Sequence, residues 1–358
     1  GTVHVANVTT GVKLVADEAN RSISIGAGIT GIDIVSGATL RMDEAASTES
    51  GVHVVEAVIS GDGNVIVSNS LSTPGSDGIT FKAGNTYTGE TVIDLGATLT
   101  AANADAFGGS SLVRVGTMET GDRTDPAPST LKVSVSQGNT GTYTNALKVN
   151  ALTVGANGTV ELAKDNDLLL TGNGMSTFAA NSVVKGDETT TIGLADGNLT
   201  IENLESISGF EGAFRVNTGA SVNFTVADTE TYTWTNDVPF YTDARSRAIG
   251  AGEFVKSGAG TLVIDGTQGE HDLSGMNLVV AEGTMKAKQA SILGLTTRAG
   301  TVVDVDGIFT THNLTADAGS VFNLNVVTGK VKEGESSSTK PIWGLGENGS
   351  DGIRVTGT

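Results

Sequence analysis

The sequence predicts an all-β fold, a parallel β-solenoid in which each short strand stacks on the strand one coil earlier. Between residues 252 and 324 the same phrase returns four times: a glycine turn, a small hydroxyl residue and a strand of alternating aliphatic residues. The aligned glycines are separated by 23, 17 and 19 residues and are Gly260, Gly283, Gly300 and Gly319. This spacing fits one solenoid coil and is too short for a strand-helix-strand unit of roughly 30 residues.

Composition favours the same class. The chain has 358 residues with 49 glycines and 5 prolines, and aromatic residues make up only 4%. A solenoid core is a column of stacked aliphatic side chains, so we expect it to contain few large aromatic side chains. Length alone suggests about two domains, but a repeat architecture grows without splitting because each coil contacts only its neighbours. We therefore expect one domain over residues 1–358, with about 18 coils of about 20 residues each.

Net charge and cysteine content exclude several classes. The formal charge is −19 and the pI is about 4.5, so the protein repels nucleic acid phosphates and we expect no nucleic-acid partner. There is no cysteine, which excludes disulfides and thiolate metal sites. The sequence contains no run of 18 apolar residues, so it predicts no membrane-spanning helix. The chain opens Gly1-Thr2-Val3-His4, without the basic and apolar segments of a signal peptide.

Short alternating strands recur along the whole chain. They are separated by turn-like segments, most of which contain glycine, and no stretch has a helical period of useful length. The clearest strands are residues 12–15, 23–25, 32–35, 38–42, 65–67, 131–135, 152–155, 158–162, 199–201 and 220–224.

Three segments interrupt this rhythm, and we expect loops near residues 118–129, 227–252 and 330–350. The second loop concentrates four of the sixteen aromatic residues beside two arginines. Aromatic and arginine side chains outside a repeat core are where a binding contact is first sought, although rings that only cover the side of the solenoid are the simpler interpretation. The candidate binding residues are Tyr232, Trp234, Phe240, Tyr241, Arg245 and Arg247.

Residues 61–116 carry a longer motif. Its parts, in order, are a strand ending at Val67, the segment Gly84-Asn85-Thr86-Tyr87-Thr88-Gly89-Glu90-Thr91, a second strand, Gly96-Ala97-Thr98-Leu99, and an alanine-rich turn ending in Phe107-Gly108. This order resembles the passenger-associated transport repeat of Gram-negative autotransporters, which secrete their passengers by the type V route. Residues 254–294 resemble a second copy whose core is replaced by Thr267-Gln268-Gly269-Glu270-His271-Asp272. Residues 313–358 are similar to the stretch before the C-terminal part of such passengers.

The resemblance implies a right-handed parallel β-helix that is displayed outside a Gram-negative cell. In that family the passenger is anchored to the outer membrane through a C-terminal barrel. We therefore expect this chain to be a piece of a longer passenger that lacks its signal peptide and its translocator barrel. The implied function is that of an adhesin of the antigen 43 and AIDA type, which promotes aggregation and biofilm formation or attachment to a host, and so contributes to virulence.

The sequence contains no clear catalytic or metal-binding motif. Neither Gly-Asp-Ser-Gly nor Gly-x-Ser-x-Gly occurs, and none of the histidines, His4, His53, His271 and His312, has a partner at metal-ligand spacing. Asp304 and Asp306 project to one face of a strand, as a paired-carboxylate site requires, but a solvated acidic face is the simpler interpretation. Residues 61–64 and 75–78 superficially resemble calcium-binding repeats but do not recur in tandem. We expect no catalytic residue, no metal and no cofactor.

Three functions follow from these observations. The first is a non-enzymatic surface adhesin, whose partner is the same protein on a neighbouring cell or a host glycan or matrix protein. The second is a β-helix enzyme acting on polysaccharide, which requires converging carboxylates in a cleft. The third is a structural stalk that presents a distal domain. We favour the adhesin.

Overall fold

The computed structural model describes residues 2–5, 12–14, 30–44, 53–69, 78–117, 128–135, 146–234, 240–242, 252–265, 272–325, 342–343 and 352–355. In these ranges the chain forms short strands that pair in parallel with strands one coil later. The fold is therefore a parallel β-helix, as the sequence predicts. Its right-handed sense stays a prediction. Within the same ranges the single helical element is a one-turn 3-10 helix, Leu204–Ile207, and no helix has the length and apolar character to cross a bilayer.

The strands are numbered in chain order. They are β1 (Thr2–Val5), β2 (Val12–Leu14), β3 (Gly31–Ile34), β4 (Thr39–Glu44), β5 (His53–Val55), β6 (Val58–Gly61), β7 (Asn64–Asn69), β8 (Ile79–Phe81), β9 (Thr91–Asp94), β10 (Thr98–Ala101), β11 (Val113–Val115), β12 (Ser129–Val133), β13 (Ala146–Val149), β14 (Leu152–Val154), β15 (Gly158–Leu162), β16 (Asp167–Leu170), β17 (Met175–Phe178), β18 (Val183–Gly186), β19 (Thr191–Leu194), β20 (Asn198–Ile201), β21 (Gly209–Phe210), β22 (Ala213–Val216), β23 (Ser221–Thr225), β24 (Thr231–Trp234), β25 (Phe240–Thr242), β26 (Glu253–Ser257), β27 (Thr261–Asp265), β28 (Asp272–Val280), β29 (Thr284–Thr297), β30 (Val302–Ala316), β31 (Val321–Asn325), β32 (Ile342–Trp343) and β33 (Gly352–Val355).

The chain divides into two compact units. The N-terminal unit comprises Gly1–Gly197 with Glu205–Gly212, and the C-terminal unit comprises Asn198–Leu204 with Ala213–Thr358. The N-terminal unit has three sides, because successive coils contribute strands to three parallel ladders. The ladders run β1-β3-β6 and later β13-β16-β19 on one side, β2-β4-β7-β9-β11-β14-β17 on the second, and β5-β8-β10-β12-β15-β18-β21 on the third.

Coils in the N-terminal unit are longer than the sequence predicts. Thr91 pairs with Val65 and with Val113, and Val113 pairs with Leu152. Successive coils there add 26 (91 − 65), 22 (113 − 91) and 39 (152 − 113) residues. The expected length of about 20 residues per coil is wrong for this unit, and the estimate of about 18 coils is too high, because a three-sided coil needs three strands and three turns.

In the C-terminal unit long strands bend from one side to the next. The first part of β29 pairs with β27 and its second part with β28, and β30 pairs with both parts of β29 across a register shift between Lys288 and Ala290. The ladder β24-β27-β29-β30-β31 is parallel throughout. An exception to parallel pairing lies at the end of the chain, where β32 and β33 are antiparallel.

The four glycine phrases do stack, but one step of the expected alignment is wrong. Thr284 pairs with Val302 and not with Thr301, so Gly283 lies beside Thr301. The reason is burial. Met285 and Val303 are both fully buried, and a strand shifted by one residue would turn its inward side chains to solvent.

Close backbone approach explains why glycine is needed at some turns. Gly61, at the end of β6, has φ of +94°, and a Cβ built there would lie 2.2 Å from the carbonyl oxygen of Ile34 in the preceding coil. Both the φ angle and this approach exclude a side chain. We expect Gly61→Ala to lower the free energy of unfolding by about 2 kcal/mol, measured as a fall in the urea unfolding midpoint.

The control for this change is Gly84→Ala, in the next coil. A Cβ at Gly84 would come no closer than 3.4 Å to another atom, the Oδ1 of Asn103. It should leave the midpoint almost unchanged. Equal losses in the two variants would show that the approach of Gly61 to Ile34 does not constrain the turn.

The motif at residues 84–91 builds the interior of the helix. Asn85 is 4% exposed; its Oδ1 accepts a hydrogen bond from the Ile59 backbone N–H at 2.9 Å, and its Nδ2 donates to the Ala106 carbonyl at 2.6 Å. Ile59 lies one coil before the motif and Ala106 in the turn that follows β10. One amide side chain therefore joins three consecutive passes of the chain.

A second polar chain crosses the same coil. The Tyr87 hydroxyl lies 2.6 Å from Thr91 Oγ1, which lies 3.1 Å from Ser110 Oγ, and Ser110 donates to the Gly89 carbonyl at 2.7 Å. Because the Ser110 proton is used there, Thr91 donates to Ser110 and Tyr87 donates to Thr91. Complete burial raises the pKa of Tyr87, so the phenol stays protonated. The motif residues thus have a structural role.

The expected loops are only partly described. Residues 118–127 lie outside the described residues, and Ser129 already belongs to β12. Of residues 330–350 only β32 is described. The expectation of an excursion over residues 227–252 is wrong for residues 231–234 and 240–242, which form β24 and β25 and pair with the helix. In β24 the aromatic residues Tyr232 and Trp234 alternate with threonines, and this period of two is that of a strand.

Candidate interaction surface

The predicted binding residues on β24 lie in a ladder of the C-terminal unit. Tyr232 pairs with Leu262 and Trp234 with Ile264, and both aliphatic partners are almost completely buried. Paired residues of neighbouring parallel strands share one side of the sheet. Position 232 therefore belongs to an inward row, and Tyr232 itself is half-buried.

The other predicted residues are separate from this pair. Phe240 pairs with the buried Phe214, and Tyr241 pairs with Arg215, in the ladder of β22 and β25 and not in that of β24. Arg245 and Arg247 lie outside the described residues. The structure therefore brings no described cluster of these aromatic residues together on one surface, and their role in binding stays a prediction.

A surface that the sequence analysis missed lies on the outer side of the ladder β24-β27-β29-β30-β31. Its outward positions form three rows across the strands, and we call these rows the charged face. The first row is Thr231, Thr261, Thr284, Val302 and Val321; the second is Thr233, Val263, Lys286, Asp304 and Asn323; the third is Asp265, Lys288 and Asp306. Val263 is buried within the second row.

Charges alternate between neighbouring strands of the charged face. Lys288 Nζ lies 3.3 Å from Asp265 Oδ2 on β27, and Asn323 Nδ2 donates to Asp304 Oδ1 at 2.8 Å. Lys286 and Asp306 are exposed, and within the described residues neither side chain has a hydrogen bond or an ion pair. Surface ion pairs such as that of Lys288 with Asp265 contribute about 0–1 kcal/mol each to stability. The charges of Lys286 and Asp306 are therefore available to a partner molecule.

This arrangement also locates the candidate carboxylate pair. Asp304 and Asp306 point outward from β30 beside Lys286 and Lys288 of β29. They lie on a ladder surface among cations, which is the solvated face that the sequence analysis treated as the simpler interpretation. Among the described residues no group of three or more His, Asp or Glu side chains is arranged to hold a metal ion.

The other candidates give no site. At residues 61–64 the Asp62 Oδ1 accepts a hydrogen bond from Thr88 and the Asn64 Oδ1 accepts one from the Glu90 backbone N–H, so both oxygens join coils. Residues 75–77 of the other candidate segment lie outside the described residues. So does His271, and for His4, His53 and His312 the strand position alone is described.

Lys256 is a second feature that the sequence analysis missed. It is fully buried between Phe224 and Val280 in an inward row. Its ammonium donates to the carbonyls of Gly258, Gly260 and Glu282, the last two at 2.7 Å. Burial lowers the pKa of Lys256 to about 8, and the Glu282 carboxylate opposes that shift.

The alternation of β26 could have revealed this lysine. Phe254 is a core residue, and the side chain two positions later in a strand lies on the same side. The ammonium holds the turn after β26 against the turn before β29. Its three acceptors are backbone carbonyls of these turns, and the Gly260 carbonyl also accepts a hydrogen bond from the Thr284 backbone N–H.

The chain was compared with known protein families, with curated proteins and with solved structures. None of the three comparisons gives a match.

Proposed function

We propose that this chain is part of the extracellular passenger of a bacterial surface adhesin. It makes contacts between cells, or with host glycans or matrix proteins, and catalyses no reaction. The observation that carries the proposal is the charged face: five parallel strands carry rows of Thr, Val, Lys, Asp and Asn residues on their outer side, and Lys286, Asp306 and Asn323 among them are exposed to solvent. The motif resemblance to autotransporter passengers supports the same function, and with it anchoring at the outer membrane of a Gram-negative cell.

The fold suits a contact made of many weak interactions. Parallel strands lie about 4.8 Å apart and outward side chains follow each other about 6.7 Å apart along a strand, so donors, acceptors and charges recur on a regular grid. Each exposed pair is weak. Many copies on one cell surface, each making such a contact, bind with an avidity far above that of a single contact.

The experiment is a settling assay with cells that display this chain, mixed with differently labelled cells that lack it, and followed by light microscopy and turbidity. We expect the displaying cells to settle together and to exclude the others. If they stay dispersed but bind glycan or matrix-protein arrays, the partner is a host molecule. If they do neither, the adhesive function is wrong and the chain is better regarded as a stalk.

A further inference from the structure

We propose that two stacked turns of the C-terminal unit form a site for a monovalent cation of the size of ammonium, and that the chain fills this site with the ammonium group of Lys256. The turns are residues 258–260, between β26 and β27, and residues 281–283, between β28 and β29. This site lies in the interior of the helix, so the inference does not depend on the proposed adhesive function.

The carbonyl oxygens of these turns converge on one place. The Lys256 ammonium donates to three of them, those of Gly258, Gly260 and Glu282. Gly283 shows the convergence independently, because a Cβ built there would lie 2.6 Å from each of the three carbonyl oxygens of residues 258–260. Carbonyl oxygens carry partial negative charge, so oxygens that lie this close together repel one another unless a cation lies among them.

The next two turns of the same column satisfy their carbonyls in a different way. The position just before the strand is occupied, in successive coils, by Gly260, Gly283, Thr301 and Ser320. Each of the two hydroxyl residues donates to the backbone carbonyl three residues earlier, at 2.7 and 2.8 Å. The two turns with glycine at this position have no such hydroxyl, and they are the turns that the Lys256 ammonium binds.

The ligands of this site select a monovalent cation. All three are neutral carbonyls, because the Glu282 carboxylate instead accepts a hydrogen bond from the Gly258 backbone N–H at 3.0 Å. Calcium and magnesium take oxygen ligands at about 2.0–2.6 Å and usually include carboxylates, whereas Lys256 Nζ lies 2.7 Å from the Gly260 and Glu282 oxygens. Backbone carbonyls are the groups that replace the hydration shell of potassium in proteins, and ammonium is of similar size.

Lys256 supplies this cation from within the chain. Its side chain is fully buried, and its three ammonium hydrogens match the three acceptors. The neighbouring members of the same inward row carry no charge and are Phe224, Val280 and Thr297. A tethered ammonium is not lost by dilution or chelation, so the turns keep their cation whatever ions the medium contains, as long as the amine is protonated.

The test removes the lysine and offers the cation from solution. In Lys256→Ala the turns lose their ammonium and gain room for an ion. We expect ammonium chloride and potassium chloride at pH 7 to raise the urea unfolding midpoint of this variant by about 0.5 M relative to choline chloride at equal ionic strength, since choline is too large to enter. The rise should saturate with ammonium concentration, as binding to one site requires.

The matched control is Lys256→Met, whose apolar side chain fills the space and leaves no room for an ion. Lys286→Ala is a second control, because it removes an exposed lysine of the same unit. We expect these two variants and the wild type to have the same midpoint in ammonium chloride as in choline chloride. The comparison at equal ionic strength removes the general effect of salt on stability.

Crystals of Lys256→Ala grown in rubidium chloride locate the ion, because rubidium resembles potassium and scatters anomalously. We expect a rubidium peak within coordination distance of the Gly260 and Glu282 carbonyl oxygens. The proposal is overturned if the Lys256→Ala midpoint is the same in ammonium and choline chloride, if Lys256→Met responds equally, or if rubidium is absent from these carbonyls. Failure of Lys256→Ala to fold in every salt, while Lys256→Met folds, overturns it as well.

Discussion

Replacing Asn85 by alanine is expected to lower the free energy of unfolding by about 3–4 kcal/mol. The side chain satisfies the Ile59 backbone N–H and the Ala106 carbonyl at the same time. Its removal leaves both groups buried without their partner and opens a small cavity. Each buried unpaired backbone group costs about 1–3 kcal/mol, so two of them account for most of the loss.

The measurement is urea unfolding followed by circular dichroism, together with the rate of proteolysis in the coils around residues 59 and 106. Thr86→Ala is the matched control, because Thr86 is the adjacent residue and its side chain is exposed. Its midpoint should stay close to that of the wild type. A loss in Asn85→Ala no greater than in Thr86→Ala would contradict the role of the amide as the junction of three coils.

Raising the pH from 8 to 10.5 is expected to stabilise the wild-type protein relative to a Lys256→Met variant by roughly 2–3 kcal/mol. Burial lowers the pKa of Lys256 from 10.5 to about 8 in the folded protein. Between these two values the unfolded chain binds more protons than the folded one, so this group makes stability rise with pH. Methionine keeps the apolar stem and does not titrate.

Unfolding midpoints in urea at pH 7, 8, 9, 10 and 10.5 test this expectation. We expect the difference between wild type and Lys256→Met to be constant below pH 8 and to shift in favour of the wild type above it. Lys286→Met, which removes an exposed lysine of the same unit, should give a pH profile parallel to the wild type. A parallel profile for Lys256→Met would mean that the buried ammonium has an ordinary pKa.

The aromatic residues of β24 show where a local pattern was misinterpreted. The concentration of rings and arginines favours a loop, but Tyr232 and Trp234 are separated by one residue, as neighbours on one side of a strand are. In this segment the period of two is a better guide to structure than the composition. The structure places both positions beside core aliphatic residues, where apolar groups gain most from burial.

The alternation of aliphatic and polar residues along the sequence was enough to predict the fold class. Glycine phrases spaced by about one coil, short aliphatic strands and few aromatic residues are local properties, and each can be identified without knowing any long-range contact. Strands such as residues 32–35, 65–67 and 158–162 therefore appear in the structure close to where they were expected.

Tertiary structure alone decided which residues of different coils meet. The pairing of Lys286 with Asp304 depends on a register that differs by one residue from the alignment of the glycines, and the sequence contains no local signal strong enough to choose between the two. Burial of Met285 against Val303 chooses the register, because a one-residue slip exposes the core side of a strand. The charged face exists only as a consequence of that packing.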